Sequence, residues 1–261
     1  MKQRVLTAVI ALIIFIPLVI IGGVPFEILS ILLGLIGLSE IYIMRKKLLV
    51  SPEAGLGVLA SLALMVPQGW LSFLPSTSTR YTLFYFFVLL LLVYTVFTRN
   101  RFSFDDAAVL TLGIIYTSVG FRFLISARET GISMIFYLLL TVWATDTGAY
   151  MVGRKFGKNK LAPHISPNKT WEGSIGGVIV ALIVGIIFNL YFPQKFSLVP
   201  MIFISLILAV VAQLGDLVES ALKRYYGVKD SGKILPGHGG ILDRFDSLLF
   251  VLPFAHFMGL F

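Results

Sequence analysis

A chain of 261 residues that is 57% apolar and only 13% charged, with a mean hydropathy of +0.93, lacks the polar side chains to cover a water-facing surface, so an ordinary soluble domain is excluded. The absence of cysteine removes disulfides, thiolate-bound zinc and iron–sulfur centres, and His164, His238 and His256 are too scattered to form a local cluster, so any metal must rest mainly on oxygen ligands. The 21 Lys and Arg against 13 Asp and Glu give a net charge of +8, which in so apolar a chain points to topology signals and anionic headgroups before nucleic acid.

Apolar stretches bounded by charge, Pro or Gly predict nine spans, each set against a hydrocarbon core of about 30 Å crossed at about 1.5 Å per helical residue. The first, Val5 to Ile21, follows Lys2 and Arg4 as a signal peptide would, but its apolar stretch is long and no small-x-small cleavage site follows at Ile21-Gly22-Gly23, so it is expected to stay. Ile28 to Met44 comes second. The third, Ala54 to Leu74, is interrupted by Pro67 and Gly69 and reads alternatively as a short helix followed by an interfacial turn carrying Trp70. Tyr81 to Phe97, Ala107 to Phe121, Ile132 to Tyr150, Gly173 to Phe192, Leu198 to Leu217 and Ser247 to Phe261 complete the set. With the N-terminus cytoplasmic, seventeen Lys and Arg fall inside and four outside, and the positive-inside rule selects that orientation. The expected fold is therefore all-α and polytopic, in the cell (inner) membrane, with about nine transmembrane helices and a cytoplasm-facing site. Residues 1–131 would form a scaffold of five spans, and residues 132–261 a catalytic region of four spans with two basic cytoplasmic loops.

The polar chemistry gathers late in the chain. If the eighth span stays helical past its end, Asp216, Glu219, Ser220 and Lys223 share one face. An acid at the membrane edge needs a cation, and a purely structural pairing of Asp216 with Lys223 or Arg224 is as good a reading as a functional one. Asp243 and Asp246 are three apart, so on a helix both carboxylates can approach one divalent ion; alternatively Asp246 caps the last helix. Pro236-Gly237-His238-Gly239-Gly240 is a turn whose backbone can approach a ligand closely, and the flanking Lys229, Lys233 and Arg244 make it a place for phosphates. The loop after the sixth span carries Arg154, Lys155, Lys158, Lys160 and Lys169. Most of these serve as topology signals, whereas Lys169 sits in a turn, Ser166 to Gly173, just before a helix N-terminus. Asp146, near the cytoplasmic end of the sixth span, is an intramembrane carboxylate and hence a site candidate, with a basic loop residue as its alternative partner. Glu40 and His256 read as packed, hydrogen-bonded residues.

The segment Ser220 to Asp246, with Lys223-Arg224, Lys229-Asp230, His238-Gly239-Gly240 and Asp243-Arg244-x-Asp246 at their spacings, resembles the signature of the phosphatidate cytidylyltransferase (CDP-diacylglycerol synthase) family without departure. Ser166-Pro-Asn-Lys169-Thr-Trp-Glu-Gly and the stretch Asp146 to Gly157 are also similar to that family, so the resemblance covers roughly the last 120 residues. It implies a reaction of CTP with phosphatidic acid giving CDP-diacylglycerol and pyrophosphate, with Mg2+, in a multi-pass homodimer of the lipid bilayer. On the resemblance, Asp216, Asp243 and Asp246 take the metal; Lys223, Arg224, Lys169 and Arg244 take phosphates; His238, Gly239 and Gly240 line the triphosphate; and Ser220 and Asp146 contact substrate. Two other readings compete. A CTP-dependent lipid-alcohol (polyprenol-type) kinase would need a base for a hydroxyl, and an anion transporter would more often show paired repeats and broken helices at the midplane.

Overall fold

The computed structural model describes residues 2–75 and 77–261, the side chains of Lys2, Arg4 and Val5 excepted. Each predicted stretch contains a helix. In chain order the helices are α1 Lys2–Ile21, α2 Gly23–Met44, α3 Pro52–Met65, α4 Arg80–Phe97, α5 Phe104–Ile114, α6 Gly120–Thr130, α7 Ile132–Phe156, α8 Trp171–Tyr191, α9 Leu198–Tyr225 and α10 Leu242–Phe257. A wide π-helical turn, Ile115–Val119, joins α5 and α6 into one rod.

Among the described residues, six rods are long and apolar enough to cross a membrane: α2, α4, the α5–α6 rod, α7, α8 and α9. Six of the about nine expected spans are thus supported by length and composition, and the other three fall on the shorter apolar helices α1, α3 and α10. Among its described residues, α1 is apolar from Leu6 to Ile21. Helix α3 has 14 residues where about 20 are needed, because the chain leaves the helix ahead of Pro67; the 3-10 turn Gln68–Leu71 that follows carries Trp70, as the alternative reading had it. Helix α10 has 16 residues, with Pro253 inside it. It also starts five residues before the predicted Ser247.

The chain forms two compact units, Met1–Ile125 with Ser231–Ile241, and Ser126–Asp230 with Leu242–Phe261. In the first, α2, α3, α4 and α5 pack through Leu38, Tyr42, Ala60, Leu64, Leu91, Leu110 and Ile114. Ser61 and Ser118 share a buried hydrogen bond of 2.7 Å. Asp106 completes a capping box with Ser103 and receives Arg45 at 2.6 Å and Lys47 at 3.1 Å, which ties the C-terminal end of α2 to the start of α5.

The second unit is built on close backbone approach. Gly173, Gly176 and Gly177 of α8 lie against α7 so tightly that a Cβ on Gly177 would stand 2.6 Å from the Thr145 carbonyl, and one on Gly176 would stand 2.5 Å from the Val152 side chain. Small residues let helices approach where lipid supplies no hydrophobic drive, and polar side chains then join them. Here Tyr137 and Ser205 link α7 to α9 at 2.7 Å, and Gln213 of α9 donates to the Ser174 carbonyl of α8 at 3.2 Å. The opposite face of α8 presents Ile175, Ile179, Ile183 and Ile187, each half or more exposed, which is the pattern of a helix solvated by lipid.

The all-α expectation has one exception. The loop after α7 forms a small antiparallel hairpin, β1 Lys160–Ala162 and β2 Ser166–Thr170, with Lys160 opposite Thr170 and Ala162 opposite Ser166. What reads in sequence as a turn before a helix is thus a strand running directly into α8.

Candidate active site

The hairpin delivers Lys169. Thr170, its neighbour on β2, caps α8 by accepting from Gly173 N–H at 3.1 Å. Glu172 in the first turn of α8 accepts from the backbone N–H of Lys158 at 3.1 Å and from the Asn159 side chain at 2.7 Å, closing the base of the hairpin. Lys169, held between these two fixings, reaches Asp216 of α9 at 2.6 Å.

Helix α9 remains helical through Tyr225, so the predicted face forms. The Ser220 hydroxyl donates to Asp216 at 3.3 Å, and Lys223 pairs with Glu219 one turn back and with Asp243 of α10 at 2.6 Å. Glu219 is fully buried and the Asp243 side chain 5% exposed, so Lys223 is the cation of two desolvated acids. Asp246 lies inside α10, one turn after Asp243, and its carboxylate accepts from Ser247 N–H at 2.6 Å. A helix that begins at Leu242 leaves no capping role for Asp246. It is within electrostatic reach of Asp216, Glu219 and Asp146, and Asp146 in turn of Lys169 and Arg244. Arg224 is exposed and donates to the carbonyls of Ile165 and Val228, both at 3.3 Å, fastening the hairpin tip and the turn after α9 to the same helix end.

The second unit therefore gathers Asp146, Lys169, Asp216, Ser220, Lys223, Arg224, Asp243, Arg244 and Asp246. His238, Gly239 and Gly240 belong to the first unit, in a loop closed by an isolated bridge in which Leu235 N–H donates to the Gly239 carbonyl at 3.0 Å, with Gly237 and Gly239 at positive φ. Glu219 is the fully buried partner of Lys223, placed on the right face by sequence reasoning but given no role; its i, i+4 relation to Lys223 is the available signal. Glu40 holds the loop of the first unit, and no local pattern around it says so.

In the second unit, four carboxylates (Asp146, Asp216, Glu219, Asp243) interact with three cations (Lys169, Lys223, Arg244), and a fifth, Asp246, faces other acids. Such an excess of oxygen donors suits a divalent cation. Among the described residues, no group of three or more His, Asp or Glu is arranged to hold a metal ion by itself. The donor set thus fits magnesium arriving with a nucleotide, which needs only one or two protein carboxylates beside the substrate phosphates.

Across residues 2–261 the sequence matches the family model described as "Cytidylyltransferase family". The chain belongs to that family. It is 48% identical over 261 residues to a protein of Bacillus subtilis (strain 168) named phosphatidate cytidylyltransferase, an alignment covering 99% of this chain and 97% of the relative. Proteins of the same name from Staphylococcus haemolyticus and Staphylococcus aureus (strain COL) are 46% and 44% identical, each over 99% of this chain and 98% of their own length. The family relationship extends through α1 to α6, where the sequence alone offers only hydropathy.

Proposed function

We propose that this chain is a phosphatidate cytidylyltransferase, which transfers the cytidylyl group of CTP to phosphatidic acid and releases pyrophosphate. The observation that carries the reading is the acid-rich cluster at the charged ends of α7, α8, α9 and α10: carboxylates and lysines for a polyanion, mounted on helices whose outer faces suit lipid. An oxygen of the lipid phosphate attacks the α-phosphorus of CTP in line, the α–β bridging bond breaks, and the electron pair leaves with pyrophosphate. The attacking monoester is already ionised, so no general base is required. That distinguishes the reaction from lipid-alcohol phosphorylation.

Catalysis is then largely positioning and charge neutralisation. Lys169, Lys223, Arg224 and Arg244 meet phosphate oxygens, and the two lysines are positioned by their pairs with Asp216, Glu219 and Asp243. Asp216, Asp243 and Asp246 would hold magnesium together with the triphosphate, and Ser220 and Asp146 would bind substrate. When bound, the ion neutralises charge developing on the phosphate oxygens. His238, Gly239 and Gly240 would line the triphosphate, as the resemblance of their motif implies. The buried Nδ1 of His238, which meets no hydrogen-bond partner among the described residues, supports a ligand there.

The orientation belongs to the same proposal: charge bias places the N-terminus and both basic loops in the cytoplasm, on the side of CTP. So does a homodimer, on the family resemblance alone. Detergent-solubilised protein supplied with phosphatidic acid and CTP labelled on either the α or the γ phosphate tests the reading. Lipid product labelled from α supports cytidylyl transfer; label from γ makes the chain a kinase, and label from neither removes it from both classes.

A further inference from the structure

Glu40 lies in α2, 2% exposed, far in sequence from every residue of the proposed chemistry. Its carboxyl group accepts from the Ser231 hydroxyl at 2.8 Å and from the Ile241 backbone N–H at 2.6 Å. These two donors are the first and last residues of the segment that the first unit takes from the late part of the chain. A Cβ on Gly232 would stand 2.9 Å from Oε1, and one on Gly240 would overlap both carboxylate oxygens and the Ser231 hydroxyl. Two glycines thus make room for one carboxyl group, and that group closes the loop at its neck. Within the loop, His238 N–H donates to the Leu235 carbonyl at 2.8 Å, while the Thr7 hydroxyl of α1 donates to the Pro236 carbonyl at 3.0 Å.

We propose that Glu40 is a positioning residue for CTP: by clasping both ends of the Ser231–Ile241 loop it fixes the Gly237–Gly240 turn and the His238 ring in the conformation that receives the triphosphate. Burying a carboxyl group in an apolar helix is costly unless its oxygens are bonded, and here two of the bonds it accepts come from the two ends of the loop. A packing role alone would be met by an apolar side chain and would not require donors from opposite ends of an eleven-residue segment. The inference rests on reading this loop as the triphosphate loop, and the test separates the two.

Full-length wild type, Ser231→Ala, Glu40→Gln and Glu40→Ala are compared by steady-state kinetics, melting temperature and amide exchange over residues 231–241, with and without CTP. Glu40→Gln keeps an acceptor for Ile241 and stays near wild type. Ser231→Ala and Glu40→Ala speed loop exchange and raise KM for CTP, by about tenfold in Glu40→Ala, the scale of a lost hydrogen bond to a carboxylate, while KM for phosphatidic acid stays within about twofold. Faster loop exchange with unchanged KM for CTP overturns the proposal, as does activity that merely tracks the folded fraction. Should wild type transfer no cytidylyl group, the functional reading fails separately, and CTP protection of the loop amides decides the matter: protection in wild type that is lost in Ser231→Ala upholds Glu40's role, and its absence from wild type ends it. Ser231→Ala and Glu40→Gln keep the test open if Glu40→Ala does not fold.

Discussion

Lys223 is the residue whose loss separates structure from chemistry most sharply. Its side chain is 13% exposed, that of Glu219 is fully buried and that of Asp243 is 5% exposed, so Lys223→Gln removes the cation paired with two acids held away from solvent. Breaking a buried pair by removing one partner costs about 3–5 kcal/mol. For a chain of this size that corresponds to a fall in melting temperature on the order of 10 °C. Lys169→Gln is expected to behave differently, because Lys169 and Asp216 are 25% and 32% exposed and such a solvated pair is worth about 1 kcal/mol or less. The assay is the melting temperature of detergent-solubilised protein beside the initial rate of CTP-dependent lipid product. Both variants lose the rate, but only Lys223→Gln loses substantial stability. Adding Glu219→Gln to Lys223→Gln recovers much of the melting temperature without recovering activity, since it removes a stranded charge but restores no cation. A Lys223→Gln protein that melts with wild type would refute the buried-pair argument, and restored turnover in the double variant would take Lys223 out of the site.

Asp216→Asn and Asp246→Asn are each expected to abolish turnover at saturating magnesium with melting temperature unchanged or raised, because each relieves like charge and keeps its shape; near-normal rates would remove the metal assignment. Gly177→Ala drives a Cβ into the Thr145 carbonyl and should lower the melting temperature by several degrees, whereas Gly55→Ala, with nothing within 4 Å, should not; equal behaviour would refute the close α7–α8 packing. Glu172→Ala frees the base of the hairpin, so amide exchange over residues 158–170 should accelerate and activity should fall through misplaced Lys169; unchanged exchange would detach the hairpin from Glu172. Cysteines at the exposed positions Lys160 and Lys229 should react with an impermeant thiol reagent only from the cytoplasmic face, and one at Ser197 only from the other; labelling of Lys160→Cys and Lys229→Cys from opposite faces would break the proposed orientation.

Much of this was legible in the residues because membrane solvation leaves a strong mark. Long uncharged runs marked each helix, and Pro67 with Trp70 marked where α3 would stop short of a span. The i, i+3, i+4, i+7 spacing from Asp216 to Lys223 places four polar residues on one face of a helix, as α9 shows. Helix ends are less legible: Asp243 to Asp246 is polar enough to look like a loop, yet it lies in the first turns of α10, where the Asp243 side chain is covered through its pairing with Lys223 and not through hydropathy. The hairpin was hidden for a similar reason, since Ser166-Pro-Asn-Lys-Thr has turn composition and its strand pairing is anchored by Glu172, thirteen and fourteen residues from the amides it holds. Glu40 was read as a packed, hydrogen-bonded residue, and so it is. Its partners lie about two hundred residues away, a distance over which no local periodicity carries information.

The central claim is that a lipid phosphate oxygen becomes the bridge to the cytidylyl phosphorus. Phosphatidic acid carrying oxygen-18 in its three non-ester phosphate oxygens, turned over with unlabelled CTP and the full-length protein, tests this directly by mass spectrometry of both products. The account predicts that all three labelled oxygens remain in a CDP-diacylglycerol product, one of them in the bridge, and that pyrophosphate contains none. Labelled oxygen in pyrophosphate, or a diacylglycerol pyrophosphate accompanied by CDP, would contradict it.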